Sequence, residues 1–335
     1  MLVRTAYIFT VWLSLFIAPK ISWAQPSFTQ NGASQLVSEN CYRLTSDEVN
    51  EEVGSIWCEY PIRMENALEL HFAVNFGCDR YAGEGLAFVF HQDKTGFDAL
   101  GCSGKSLGFG KTKDCEGLAP SLAIELDSKY SPGIGDMYLP HLAVVQNGQQ
   151  EFPIGAAKRL RSNGQSVVDC EYHDVMIRWS PSKQLLEVFF DGELRLSLRK
   201  DLSQFFGIDQ DVYFGFTAST GKKPNMQMVC VQSVSVSVDE VFEQKRSFQE
   251  GVGIYPNPIQ EKLTIDLQLP EEQYIQMQLF DATGKLIYEI PTHSVRQNQY
   301  YFNLPGLPSG IYYISVTNGD HRVSKKIVHI ATIRA

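Results

Sequence analysis

What restricts this chain most is a rhythm. Short runs rich in β-branched and aromatic residues ("ALELHFAVNF", "GLAFVFH", "SLAIELD", "HLAVVQNG", "DVMIRWS", "LLEVFFDG", "VYFGFTAST") alternate with turn clusters such as "DRYAGEG", "GCSGKSLGFGK" and "KYSPGIGD". The apolar spacing of an amphipathic helix is nearly absent, apart from a short candidate at "KDLSQFF". Many short strands joined by Gly/Pro turns, with no helices between them, predict an all-β sandwich or jelly roll over residues 27–242. Hydrophobic residues make up 44% of the chain, enough to fill its core. Strand periodicity places Trp57, Trp179, Phe88, Phe90, Phe189 and Phe190 in that core.

The segment "VFEQKRSFQEGVG" interrupts the rhythm. It is polar, ends in glycines, and reads as a linker over residues 243–252. Beyond it "LTIDLQL", "YIQMQLFD", "GKLIYEI", "GIYYISVTNG" and "RVSKKIVHI" predict a second, small Ig-like β-sandwich over residues 253–331. At the other end, Arg4 precedes the apolar "AYIFTVWLSLFIA", and Ser22-Trp23-Ala24 offers a small-x-small cleavage motif. Residues 1–24 therefore read as a secretory signal peptide, with a first domain over 26–242. A membrane anchor is the alternative, but the run falls short of the roughly 20 apolar residues of a spanning helix. No later segment is apolar enough to span, so no transmembrane segment is expected in the mature chain.

Export bears on the seven cysteines, Cys41, Cys58, Cys78, Cys102, Cys115, Cys170 and Cys230. In an oxidising compartment some should pair, and an odd count leaves at least one free or intermolecular. Cys102 and Cys115 bracket a Gly-rich loop that a disulfide could staple, but spacing alone does not fix the connectivity. The close Cys pairs of structural zinc sites are missing. A net charge of -9 leaves no basic footprint for nucleic acid.

One strand breaks the pattern. In "SLAIELD" Glu125 and Asp127 occupy alternate positions, so they share a face, roughly 7 Å apart by strand rise. Two like charges on an apolar strand repel each other and resist desolvation, and a cation removes both costs. The following loop delivers Asp136, and then His141 opens the next strand. Three carboxylates and an imidazole suit a transition metal such as Mn2+, and loop carbonyls with Asp127 and Asp136 suit Ca2+ beside it. The plain alternative is an edge strand with its acids in water.

The order Glu-x-Asp, Asp136, His141 resembles the metal-binding loop of legume-type (L-type) lectins. So do "GEGLAFVFHQD", the Gly-rich "GKSLGFGK" and "VYFGFTASTG", in the family's order, and "HLAVVQNG" resembles bacterial secreted versions. The resemblance implies a concanavalin A-like jelly-roll sandwich that binds sugar beside Ca2+ and a transition metal. It assigns Glu125, Asp127, Asp136 and His141 to the transition metal, with Asp127 and Asp136 shared with Ca2+. Lys129 falls where the family offers Ca2+ a backbone carbonyl, so its side chain is expected to matter little. Ser131 replaces an Asn that binds both Ca2+ and sugar, and a hydroxyl cannot offer an amide donor and a carbonyl acceptor together. Glu84 replaces the family's sugar-binding Asp, often found after a cis peptide bond, and reaches one methylene further. Backbone N–H groups near Gly104 and the loop containing Gly221 and Lys222 are expected to complete the sugar site. Tyr130 and Tyr138 flank the metal loop, where either could stack on a sugar or simply pack.

The same sandwich carries glycoside hydrolases, which need paired acids across the scissile bond. After "IELD" the chain continues Ser128, Lys129, Tyr130, so the third acid of one such family is missing, and Glu187 lacks a partner in sequence. H-E-x-x-H does not occur. No catalytic residue is assigned, and the expectation is a non-enzymatic glycan-binding protein. The alternatives are a hydrolase on the same fold and a metal-free adhesive sandwich.

The C-terminal block, with "YPNP", "LTIDL", "LFDATGKLIYE", "LPSGIYYISVTNG" and "SKKIVHI", resembles the C-terminal sorting domain of the type IX secretion system. That implies a partner in the type IX translocon and delivery to the medium or cell surface of a Gram-negative, Bacteroidota-type bacterium. Lys325 and Lys326 lie on a terminal strand, where charge also guards an exposed edge.

Overall fold

The computed structural model describes residues 20–23, 26–130, 137–303 and 307–331. It divides into two compact units between Asp239 and Glu240. In chain order the first carries β1 (Lys20–Trp23), β2 (Phe28–Gly32), β3 (Gln35–Ser38), β4 (Cys41–Thr45), β5 (Val53–Cys58), β6 (Asn66–Asn75), β7 (Gly85–His91), β8 (Ser121–Asp127), β9 (His141–Gln146), β10 (Lys158–Arg159), β11 (His173–Ser180), β12 (Leu185–Phe190), β13 (Glu193–Arg199), α1 (Leu202–Phe206), β14 (Tyr213–Ser219) and β15 (Gln227–Val238). The expected helix at "KDLSQFF" is α1, capped by the Asp201 carboxylate, which accepts from Gln204 N–H at 3.0 Å.

These strands form two antiparallel sheets. One runs β13-β12-β11-β6-β15-β4-β3, with β1 also on β15, and the other runs β10-β9-β8-β7-β14-β5-β2. Between them lies the main core, including Phe72, Phe88, Phe90, Trp179, Phe190 and Phe216. Phe189, placed in the core by periodicity, is only half-buried and carries the Arg178 guanidinium 5.7 Å above its ring. The expected signal peptide lies outside the described residues except for Lys20–Trp23, which pair with β15.

A smaller core lies on the other face of the seven-stranded sheet. Trp57, Ala87, Val89, Ala123 and Val145 pack there beneath Leu107, Phe109 and Leu118 of the long loop between β7 and β8. Both faces of β7 and β8 are therefore covered, and every residue of both strands is buried.

Three disulfides form: Cys41–Cys230, Cys78–Cys170 and Cys102–Cys115. The last staples the Gly-rich loop as its spacing allowed. Cys58 is the free thiol, and burial pushes its pKa up to about 11, which keeps it protonated and unreactive.

The second unit contains α2 (Glu240–Glu250), β16 (Val252–Tyr255), β17 (Lys262–Asp281), β18 (Leu286–Asn303), β19 (Gly310–Thr317) and β20 (Arg322–His329). An irregularity between Gln268 and Gln273 divides β17. Its first half pairs with β16, its second with β19, and β18 lines both. The segment read as a linker is instead α2. Its polar surface concealed one anchor, Phe248, which is buried in the second core, and an Arg246–Glu243 pair at 2.8 Å bridges one turn.

Candidate functional site

β8 is not an edge strand. It lies between β7 and β9, so the acids are not simply in water. Leu122, Ile124 and Leu126 point into the main core, whereas Ala123, Glu125 and Asp127 share the opposite face. Alternation thus keeps both carboxylates out of the inter-sheet core. Glu125 stands opposite Ala87 and Ala143, and Asp127 opposite Gly85 and His141. Small neighbours leave room above the carboxylates, and register sets His141 beside Asp127 on one face.

All three groups are about 4% exposed. Glu125 Oε1 accepts from Gln150 Nε2 at 2.5 Å, and that amide also donates to the Lys105 carbonyl at 2.8 Å. Asp127 Oδ1 accepts from Lys129 N–H at 2.7 Å, fixing the turn that leaves the strand. His141 Nδ1 lies 3.2 Å from the Leu139 carbonyl. A carbonyl can only accept, so Nδ1 carries a proton, which leaves Nε2 as the ring nitrogen suited to a metal.

Of the six residues expected around metal, Ser131 and Asp136 lie outside the described residues. Among the described residues, no group of three His, Cys, Asp or Glu side chains is gathered tightly enough to hold an ion. The donor chemistry of Glu125, Asp127 and His141 nevertheless fits one, because two buried carboxylates and an imidazole anchored through Nδ1 share one sheet face.

Glu84 precedes β7 between two glycines of positive φ, Gly83 (+71°) and Gly85 (+124°), a backbone few other residues adopt. The cis peptide bonds among the described residues all precede proline, so the bond before Glu84 is trans. Its side chain is 8% exposed and lies against Gly221, where an added Cβ would collide with Oε1. Here an expectation is corrected. Lys129 offers more than a carbonyl: its Nζ lies 2.7 Å from Glu84 Oε1. Position in the sequence showed where the Lys129 backbone would fall but not how far a four-carbon stem could reach back.

The other loops are tied to this one by buried amides and hydroxyls. Gly104 N–H donates to the Thr220 carbonyl at 3.1 Å, and Ser219 Oγ donates to the Gly104 carbonyl at 2.6 Å. The Gly104 N–H is thus engaged within the protein. Gln227 accepts from Gly85 N–H and donates to Thr45 and Ser219, while Asn225 Nδ2 donates to the Phe76 and Ala82 carbonyls. Lys222 is exposed beside buried Gly221. Tyr130 and Tyr138 are 42% and 78% exposed, with ring centroids 5.4 Å apart. Gln150 and Gln227 escaped the sequence reading, since an amide far along the chain gives no local sign of what it will hold.

The sequence pattern of the legume lectin beta-barrel domain matches residues 21–233, and that of the secretion system C-terminal sorting domain matches residues 253–330. Among solved structures, the Bauhinia forficata lectin in complex with GalNAc is similar at 18% identity over 66% of this chain and 100% of that one, with a TM-score of 0.54. Lectin I-B4 from Griffonia simplicifolia, in a metal-free form, is 17% identical over 66% of this chain and 99% of that one, TM-score 0.54. Arcelin-5, a lectin-like defense protein from Phaseolus vulgaris, is 15% identical over 66% and 98%, TM-score 0.51. At these identities the likeness concerns the fold. The ulvan lyase NLR42 of Nonlabens ulvanivorans is 34% identical over 93 residues, which is 28% of this chain and 16% of that enzyme. The chain therefore spans well under two thirds of that relative.

Proposed function

Because the chain belongs to the legume lectin family and carries a type IX sorting domain, we propose that it is an exported glycan-binding protein that binds sugar without turning it over. The observation that carries this reading is the convergence on Glu84. A buried carboxylate is held against Gly221 by its glycine-flanked backbone, and Lys129 and the loops of Gly104 and Thr220 are fixed around it. Such an acceptor meets sugar hydroxyls with little further ordering cost. Ca2+ and a transition metal such as Mn2+, held by Glu125, Asp127, Asp136 and His141 with the Lys129 carbonyl and Ser131, would stiffen the loop that faces it. Lys222 and the backbone near Gly104 complete the rim. Residues 1–24 serve as the signal peptide, and the sorting domain hands the protein to the type IX machinery for release or display. Single-site affinity is low in this reading, so many displayed copies act through avidity.

The fragmentary likeness to a lyase, over 16% of that enzyme, does not carry catalysis to this chain. A glycan array probed with the full chain in Ca2+ and Mn2+, then after chelation, tests the proposal. Binding that survives Glu84→Ala removes Glu84 from the sugar site. Release of reducing ends from a bound polysaccharide replaces binding with turnover.

A further inference from the structure

A cavity lies near the loops that surround Glu84. It measures about 560 Å³ and opens between the loop that the Cys102–Cys115 disulfide closes and the turn at Gly148 that follows β9. Lys105, Lys111 and Lys113 line one side, and Gln150 and Phe152 line the other. Lys111 is paired with Glu116 at 3.1 Å. Lys105 and Lys113 are exposed, and their ammonium groups have no hydrogen-bond or ion-pair partner among the described residues. Phe152 is 71% exposed, so its ring face is open to a ligand. Asp114 and Glu151 also line the cavity, so its charge is three lysines against two acids on a chain whose net charge is -9.

Hydrogen bonds join this cavity to the loops around Glu84. Gln150, a wall of this cavity, donates through one amide nitrogen to Glu125 and to the Lys105 carbonyl. Gly104, next to Lys105, is bonded to Thr220 beside Gly221. A chain ligand leaving Glu84 along the Gly104 loop would therefore arrive at Lys105.

We infer that this cavity is an accessory subsite for an anionic glycan unit, one bearing a carboxylate or a sulfate. Two unpaired ammonium groups match the charge, an exposed ring suits the apolar face of a pyranose, and the Gln150 amide and the two acids suit its hydroxyls. The inference rests on the glycan-binding reading and names the ligand class for it.

Affinity electrophoresis of the full chain tests it with two matched pairs of probes, polygalacturonate against galactan and dextran sulfate against dextran. Retardation is expected to be stronger with the charged member of at least one pair, and the responding pair tells carboxylate from sulfate. Lys105→Ala/Lys113→Ala is expected to weaken that binding at least about tenfold with an unchanged melting temperature, because both side chains are exposed. Lys94→Ala/Lys183→Ala removes the same charge elsewhere and is expected to leave binding intact. Phe152→Ala should weaken the same retardation several-fold. Equal binding of charged and neutral probes overturns the subsite, as does a Lys105/Lys113 variant that binds like the parent. If neutral binding still depends on Glu84 in that case, the lectin reading survives alone. If the lysine variant loses anionic binding while Glu84→Ala keeps it, the subsite stands and Glu84 leaves the site.

Discussion

Lys129 Nζ sits 2.7 Å from Glu84 Oε1, so the carboxylate expected to meet sugar already has a cation from its own chain. The Glu84 side chain is 8% exposed and that of Lys129 33%, which puts the pair between an exposed and a buried ion pair. Lys129→Met should therefore cost about 1–2 kcal/mol by leaving a shielded charge unmatched. Glu84→Gln in the same chain should recover part of that loss. Urea unfolding of both variants provides the check, and identical losses would mean that the pair does not contribute.

Gly221→Ala should push the Glu84 carboxylate aside, since the new methyl would occupy the position of Oε1. That displacement also strains the Glu84–Lys129 pair, so unfolding stability should fall by up to about 1–2 kcal/mol, while glycan affinity drops about tenfold, equivalent to about 1.4 kcal/mol. A titration showing parental affinity would place the sugar contact elsewhere.

Addition of Ca2+ and Mn2+ to chelated protein should raise the melting temperature. An ion held only by the folded chain at a hundred times its Kd adds about 2.7 kcal/mol. Glu125→Gln and Asp127→Asn should each reduce this response in differential scanning fluorimetry. A full response in both variants would move the ion away from β8.

His91 is fully buried, packed on Trp57 at 4.2 Å and Tyr213 at 5.3 Å. Burial pushes its pKa down to about 4, against the opposing pull of Asp93. The unfolded chain, with a His pKa of about 6.5, takes up the proton first. Acidification from pH 6.5 to 4 therefore favours unfolding, and the contribution is complete above that window and lost within it. Its size is on the order of 3 kcal/mol. His91→Gln should flatten the pH dependence of the urea midpoint in that interval, and parallel curves would contradict the assignment.

Much of this architecture was legible in the chain. Alternation and turn chemistry gave the two β units, and spacing picked out Glu125, Asp127 and His141, which do share one sheet face. Three features were not legible, each for a physical reason. The polar surface of α2 resembles that of a linker unless Phe248 is known to be buried. The reach of the Lys129 side chain is set by rotamers that sequence does not encode. The Gln150–Glu125 bond joins separate loops whose approach depends on the whole fold.

β15, which leads out of the lectin domain, is hydrogen-bonded to β6 along its length and to β4 over Gln227–Cys230, while Lys20–Trp23 pair with Val234–Ser237. Cys230 on that strand is also bonded covalently to Cys41 on β4. Tension applied through the C-terminal end of β15 thus meets a covalent stop at Cys230, where the disulfide ties the strand to β4.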